Sequence, residues 1–304
     1  YFYFFNIMGP ITVILSSGSV NFMVFDLAIL PFYNSSFFFP KFIGIILSLV
    51  TFLSWILAVG ILTYSAYMDP GSTNFVLNSN HYFPLSDTFL SLFPKCEICK
   101  LPKPPRCHHC STCGKCHLKM DHHCIVIGKC VALRNQQPFY VSLHWATLNL
   151  FIHICILSLI ISLSLLIKMI FTLIGKTNDY NNNSLMSIFL SKDMYTIARL
   201  VVLIFIVIVL FWMFYTFLSD TLENVKHNST TIELIYPNET GSNPYDVGEE
   251  ENMYQVFGDG IFRRWWPKVP ELCGFEWATP EFTNQYHDSF DFINPENTPK
   301  EIVH

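Results

Sequence analysis

Charge is what this sequence has least of. Asp, Glu, Lys and Arg make up 13% of the 304 residues, about half the share found in ordinary soluble domains, and the mean hydropathy is +0.37. That scarcity excludes a soluble globular domain, because the surplus apolar mass has to face lipid. A basic surplus is missing too: the formal net charge is -5, which argues against a nucleic-acid binder, whose binding face would be basic. Outside one short run cysteine is nearly absent, with eight of the ten falling between Cys96 and Cys130.

Four apolar stretches carry the surplus. Pro10 to Phe32 is interrupted by Ser16, Ser17, Asn21 and Asp26. With no basic segment ahead of it and no small-residue cleavage site, it reads as a span rather than a signal peptide. Asp26 would be costly facing lipid, so it is expected to face another helix or lie near an interface. Phe42 to Tyr64 is uncharged and longer than the ~20 residues a helix needs to cross the hydrocarbon. Asp69-Pro70-Gly71 follows as a turn that stops it. Phe139 to Ile167 and Leu200 to Leu218 give the third and fourth spans. An even number puts both termini and the cysteine-rich loop on one side. That loop carries Lys95, Lys100, Lys103, Arg106, Lys115, Lys119, Lys129 and Arg134, so the positive-inside rule makes its side cytosolic. The Asn-rich stretch Thr177 to Ser184 then reads as a lumenal loop. Asn34-Ser35-Ser36 and Asn182-Asn183-Ser184 are glycosylation acceptor triplets on the lumenal side, while those at Asn228 and Asn238 fall in the cytosol.

The cysteine-rich run holds five of the eleven histidines. Cys96 and Cys99 form one C-x-x-C pair, and Cys110, Cys113 and Cys116 continue the two-residue gap twice. His109, Cys116, His123 and Cys130 recur at intervals of seven. Tetrahedral zinc takes four N or S donors per ion, so the inventory fits two closed sites and leaves thiols over. Clustered cysteines in a cytosolic loop stay reduced, which favours metal over disulfides. A purely structural zinc finger remains open on spacing alone. A leftover thiol directly after Asp121-His122-His123 suits a nucleophile better than a ligand, because an imidazole can take its proton and a carboxylate can orient that imidazole. That thiol is Cys124. Cys107, the other spare, has no acid or base framing it and Cys155 reads as a small buried apolar residue.

The order C-x-x-C, Lys103-Pro104-Pro105-Arg106, His108-His109-Cys110, C-x-x-C-x-x-C, Met120-Asp121-His122-His123-Cys124, Cys130, Asn135 and Phe139 resembles the cysteine-rich domain of DHHC-type protein S-acyltransferases (palmitoyltransferases). The resemblance implies two structural zinc ions on interleaved sets, Cys96, Cys99, His109 and Cys116 for one and Cys110, Cys113, His123 and Cys130 for the other. It implies that Asp121 orients His122, that His122 acts as base, and that Cys124 attacks the thioester of palmitoyl-CoA. Asp69-Pro70-Gly71 also matches the family. The chain departs from it at Ile125 and Val126, where Pro-Trp is usual, at Lys129 in place of Asn, and at Ala132 in place of Gly.

After the fourth span, Thr230-Thr231-Ile232-Glu233 resembles the family's T-T-x-E element. Its hydroxyls and carboxylate suit a helix cap, and the resemblance implies that it packs under the active site and supports Asp121. Asn243-Pro244-Tyr245-Asp246, Asn252 and Phe257-Gly258 resemble its C-terminal motif, with Asn252 bonding backbone at the end of the third or fourth span. Arg263-Arg264-Trp265-Trp266-Pro267 suits the headgroup level of a membrane, or packing within the tail. Beyond Val269 the acidic, aromatic tail reads as partly disordered.

These features predict an all-α polytopic membrane protein of four transmembrane helices, with a cytosolic two-zinc domain between helices two and three and a cytosolic C-terminal region. The expected divisions are residues 1-68, 69-138, 139-220 and 221-304. The expected function is protein S-palmitoylation: an acyl group moves from acyl-CoA through Cys124 to cysteine thiols of proteins near the membrane, in the endoplasmic reticulum or Golgi. Lys129 and Arg134 are candidates for the CoA phosphates, or simply solubilising charge. Ser142, Asn149 and His153 share a helical face that looks into the bundle, as an acyl-cavity wall or as interhelical hydrogen bonding. The alternatives are a catalytically weak zinc-binding membrane scaffold partnering an active enzyme, and a membrane-anchored zinc-finger adaptor. Membrane lipid and protein substrates are expected partners, nucleic acid is not, and the sequence names no accessory subunit.

Overall fold

The structure, a computed structural model, describes residues 2–33, 38–79, 86–173, 194–237, 243–260, 262, 264–268 and 274–275. The Asn-rich loop, the acceptor triplets at Asn34, Asn182 and Asn238, Arg263 and nearly all of the tail beyond Val269 lie outside the described residues. The chain divides into two compact units: Pro10–Leu62 with Tyr140–Asp220, and Tyr1–Gly9 with Thr63–Phe139 and Thr221–His304.

Among the described residues, four helices are long and apolar enough to cross a membrane, over Ile11–Tyr33, Phe38–Tyr67, Gln136–Leu163 and Ile197–Lys226. The first combines α1 (Phe2–Val24), a π-helical turn (Phe25–Ile29) and α2 (Leu30–Tyr33); the others lie in α3 (Phe38–Tyr67), α6 (Gln136–Leu173) and α7 (Met194–Lys226). The fourth helix outruns its apolar stretch, because the polar segment from Ser219 to Lys226 keeps helical hydrogen bonding after the hydropathy ends.

The unit made of Pro10–Leu62 and Tyr140–Asp220 packs Val24, Ala28, Ile29, Leu157, Ile160, Leu203 and Val207 into its core. Several polar groups inside it find partners on other helices, as lipid offers none. Asn149 Nδ2 donates to Thr51 O at 3.1 Å and Ser54 Oγ at 2.8 Å, and the Trp55 indole donates to Ser17 Oγ at 3.0 Å. Asp26 lies in the π-helical turn and pairs with Arg199 at 2.7 Å, so a carboxylate costly to lipid is matched by a cation from another helix. Ser142, Asn149 and His153 are all buried, Asn149 in interhelical bonds.

The other unit is built from short pieces: α4 (Thr73–Leu77), α5 (Asp87–Ser91), four strands, α8 (Thr231–Ile235) and α9 (Glu249–Phe257). Strand β1 (His108–Cys110) pairs antiparallel with β2 (Lys115–His117), and β3 (His122–Cys124) with β4 (Lys129–Val131). The two hairpins explain the seven-residue interval. A three-residue strand, a four-residue turn and a return strand set His109 opposite Cys116 and His123 opposite Cys130. Ser72 and Ser86 cap α4 and α5 through their hydroxyls. Between α3 and α4, Asp69 Oδ1 accepts from Gly71 N and Ser72 N at 2.9 and 2.7 Å. Gly71 takes φ +96° there, and a Cβ on it would press on Arg134 and Leu133, so Asp-Pro-Gly is a built turn.

Candidate active site and metal clusters

The pairs Cys96/Cys99 and Cys110/Cys113 form the same knuckle. Cys99 N donates to Cys96 Sγ at 3.4 Å and Cys113 N to Cys110 Sγ at 3.3 Å. The residue after each pair turns left-handed, Lys100 at φ 58° and Gly114 at φ 65°, so that its N–H reaches the first cysteine's carbonyl at 2.8 Å in both. An N–H aimed at sulfur favours thiolate, and the Cys99 N–H holds Cys96 down at about 7 against burial.

The hairpins add the remaining donors. Cys96, Cys99, His109 and Cys116 form one group and Cys110, Cys113, His123 and Cys130 the other, with the donor atoms of each within 4.8 Å of one another. His109 Nδ1 lies 3.8, 3.2 and 3.7 Å from the three sulfurs of its group. His123 Nδ1 lies 3.6, 3.4 and 3.8 Å from those of the second. Zinc–ligand bonds of ordinary length in a tetrahedron give an S to N edge of about 3.6 Å, so both donor sets fit a four-coordinate ion. The nine described cysteines are free thiols. Cys113 and Cys130 lie 3.5 Å apart and compete for one proton, the hydrogen bond from Cys130 driving Cys113 down to about 3 and Cys130 itself upward. A divalent cation lets both be thiolates.

Cys124 begins a third turn of the knuckle kind. The backbone N–H groups of Ile127 and Val126 point at its sulfur, Gly128 takes φ 65°, and Gly128 N donates to Ile125 O at 3.2 Å. Here Ile127 stands where a knuckle has its second cysteine, so the sulfur gains the N–H donors without joining a metal cluster. His122, one residue from its ligand neighbour on β3, lies beside the Cys124 thiol, whose pKa it lowers, and places Nδ1 3.2 Å from Asp121 Oδ2. Burial opposes charge on His122, yet its bonds to Asp121 and Cys124 raise it to about 9. Burial also opposes the Cys124 thiolate, while His122 and the two N–H groups bring that thiol below its usual value. Asp121 is held low despite burial, by His122 and by Thr231. A carboxylate, an imidazole and a thiol thus lie in sequence of contact, with the thiol poised to ionise.

The C-terminal segment supports the acid from below. Thr231 N donates to Asp121 Oδ1 at 2.6 Å. Thr230 caps α8 in a capping box with Glu233, its Oγ1 accepting from Glu233 N and Glu233 Oε2 accepting from Thr230 N. Glu233 in turn takes a two-pronged bond from Arg106, Nε to Oε1 at 2.7 Å and Nη2 to Oε2 at 2.9 Å. Arg106 is buried at φ 64°. It also donates to Asn228 Oδ1 and Asn228 O at 2.9 and 2.7 Å and lies 4.3 Å over the Tyr245 ring.

A family model for the DHHC palmitoyltransferase domain matches residues 93–237. Among curated relatives, Probable protein S-acyltransferase 14 of Arabidopsis thaliana is 30% identical over 223 residues, 69% of this chain and 66% of that protein. Palmitoyltransferase PFA3 of Saccharomyces cerevisiae is 29% identical over 201 residues, 65% of this chain and 54% of that protein. Residues 93–237 are a DHHC palmitoyltransferase domain. Palmitoyltransferase ZDHHC20-A of Danio rerio, 32% identical over 168 residues, covers 54% of this chain and 41% of its own length. The chain therefore spans less than two thirds of the length of these DHHC relatives.

The DHHC departures have visible consequences. Ile125 and Val126 are 80% and 44% exposed at the hairpin tip, where the usual Trp would present an aromatic face. Lys129 sits opposite Cys124 on β4 and donates from Nζ to Tyr67 O and Met68 O at 3.2 and 3.3 Å, closing the end of α3. Arg134 donates to Asp69 O at 3.5 Å and lies 4.3 Å over the Phe75 ring. Both CoA candidates thus have partners within the protein. Cys107 is buried beside Thr73 Oγ1 at 3.5 Å, and burial pushes its thiol up to about 11, the opposite of Cys124. Asn252 is buried, donating to Lys226 O and Asp246 Oδ1, both at 2.6 Å. The acceptor asparagine Asn228 is spent internally, on Arg106, Tyr245 O and Gln255. Sequence reasoning gave Arg106 no part in the site: it counted only among the loop's cations and in the Lys-Pro-Pro-Arg stretch that carries the family resemblance.

Proposed function

We propose that this protein transfers a long fatty acyl group from acyl-CoA to cysteine thiols of other proteins, with Cys124 as the covalent carrier. The observation that carries the reading is the contact order Thr231, Asp121, His122, Cys124, which ends on a thiol lowered in pKa and outside both metal clusters. In the first step Cys124 thiolate attacks the thioester carbonyl, the bond from that carbon to the CoA sulfur breaks, and His122 gives its proton to the leaving thiolate. In the second, His122 takes the proton of a substrate thiol, whose sulfur attacks the acyl-enzyme and frees Cys124. Two zinc ions held by the Cys3His sets are structural: they fix the hairpins that carry His122 and Cys124.

The candidate spans make this a membrane protein. A fatty chain partitions into the bilayer while the nucleotide of its CoA stays in water, which puts the thioester at the boundary. The excess of Lys and Arg in the cysteine-rich segment supports a cytosolic location for it, facing the acyl-CoA pool, in an endoplasmic reticulum or Golgi membrane. Palmitoyl-CoA is the donor we expect. The relatives' names, palmitoyltransferase and protein S-acyltransferase, support the same reading.

The test is acyl-enzyme formation. Purified protein incubated with alkyne-palmitoyl-CoA should take up a hydroxylamine-sensitive label that Cys124→Ser abolishes and Cys107→Ser retains, with about two zincs bound in all three proteins, as eight ligands require. A folded, zinc-loaded wild type that stays unlabelled overturns the reading in favour of a scaffold.

A further inference from the structure

The segment Phe262 to Lys268 is fixed to a membrane helix and exposes large aromatics. Gln137, one residue into the Gln136–Leu163 span, is almost fully buried and grips the segment on both sides of Pro267. Its Nε2 donates to Trp266 O at 2.8 Å, and its Oε1 accepts from Lys268 N at 2.7 Å. Upstream, Trp265 N donates to Phe262 O at 2.9 Å, which closes a turn. The segment's height is therefore that of the first turn of the third span.

The second span ends at the same height. Ser65 Oγ, near the end of α3, donates to Asn135 O at 3.2 Å, and Asn135 directly precedes Gln136. At this level Tyr64 and Tyr67 on α3 are exposed, Tyr67 by 74%, and on the Gln137-bound segment Phe262 and Trp266 are exposed by 75% and 66%. Large rings, three of the four bearing a polar atom, set where two spans leave the hydrocarbon and accompanied by the cations Arg264 and Lys268, have the composition of an interfacial belt. In water alone such exposure would be unfavourable, and a lipid headgroup region offers both the apolar boundary for the rings and phosphate acceptors for indole and guanidinium groups, while the Lys268 ammonium also lies 3.7 Å from Asp259 Oδ1.

We propose that the Phe262–Lys268 segment is a membrane-docking surface, seated among phospholipid headgroups with Trp266 and Phe262 reaching the acyl boundary, so that the C-terminal region is held to the bilayer by its own aromatic turn. The inference stands independently of the acyltransferase reading, since it uses no residue of the proposed reaction.

The experiment is photo-crosslinking in nanodiscs of phosphatidylcholine bearing an alkyne acyl chain, using the full chain. Trp266→p-benzoylphenylalanine and, separately, Phe262→p-benzoylphenylalanine are irradiated and read for the mass of one added phospholipid. Phe52→p-benzoylphenylalanine, exposed within the second span, is the positive control. Glu250→p-benzoylphenylalanine, exposed in the acidic first turn of α9, is the negative one. The expected result is lipid adduct at 266, 262 and 52 and none at 250. Adduct at 52 alone, adduct to protein in place of lipid at 266 and 262, or equal lipid adduct at 250 overturns the proposal. The probe at 262 decides the matter should the variant at 266 fail to reconstitute.

Discussion

Burial works against a thiolate at Cys124, so neighbouring groups have to lower its pKa. Three groups do so: His122 and the N–H groups of Ile127 and Val126. Asp121 acts one contact further away, by raising His122 to about 9. Asp121→Asn removes that charge. His122 then falls toward its ordinary value, less imidazolium faces the sulfur at neutral pH, and the Cys124 pKa rises. The pH profile of iodoacetamide alkylation at Cys124 should move to higher pH in Asp121→Asn, with metal content unchanged; an unmoved profile would remove Asp121 from the chain of contacts. A second residue-scale prediction concerns Lys119, which is buried and brought down to about 7, first by desolvation and then by Arg106. Its folded value lies below the unfolded one of 10.5, so between those limits the unfolded chain binds a proton the folded chain lacks, and stability rises with pH across that window. Lys119→Met should flatten this rise and stabilise the protein at pH 7, read as the thermal midpoint at pH 7 and pH 9.

Among the elements, α8 is the one whose stability depends most on a distant residue. It has five residues, too few to persist alone in water. Its capping box closes it locally, and the Arg106 to Glu233 pair joins it to the cysteine-rich segment across 127 positions of sequence. The Arg106 side chain is fully buried while that of Glu233 is 23% exposed, so the carboxylate left by Arg106→Met keeps some access to water. Arg106→Met should therefore cost about 2 kcal/mol, the worth of its hydrogen bonds to a charged group, and less when combined with Glu233→Gln. A double-mutant cycle measured by thermal unfolding in detergent reads that coupling, and additive costs would show that the two act separately. The resemblance placed the T-T-x-E element under the site, and the hairpins give the physical reason for the seven-residue repeat that spacing alone only recorded. The two hairpins themselves were not legible. Three-residue strands carry too little alternation to stand out, and their pairing is set by the turns and by ligands converging on a shared centre.

At the scale of the molecule, the two units depend on different forces. The span unit is held by apolar packing and by polar pairs such as Asn149 with Ser54 and Asp26 with Arg199. The cysteine-rich unit has a small core in which the ligand cysteines Cys96 and Cys116 pack beside Phe89, Phe93, Leu118 and Phe275, so its apolar contacts and its metal sites stand together. Chelation of both ions should therefore unfold this unit and leave the span helices, seen as lost near-ultraviolet signal with far-ultraviolet helicity mostly retained. Cys99→Ser should lower the metal count from two to one, measured by elemental mass spectrometry, and retention of two would reassign that ligand.

The sequence by itself determined the four spans, the ligand inventory and the spare thiol after Asp-His-His. Each follows from local facts: run length against bilayer thickness, donor count against zinc's four bonds, and an imidazole beside a thiol. What only the tertiary structure decided is everything that depends on which distant groups meet. Lys129, a candidate CoA contact or solubilising charge in the sequence, closes the end of α3, and Arg106, read there only as one of the loop's cations, anchors Glu233 and Asn228. Asp26 finds Arg199 173 positions away. The reason is physical: burial and partner choice for a polar side chain are set by what it can hydrogen-bond once desolvated, and that partner is supplied by the fold rather than by the neighbours in the chain.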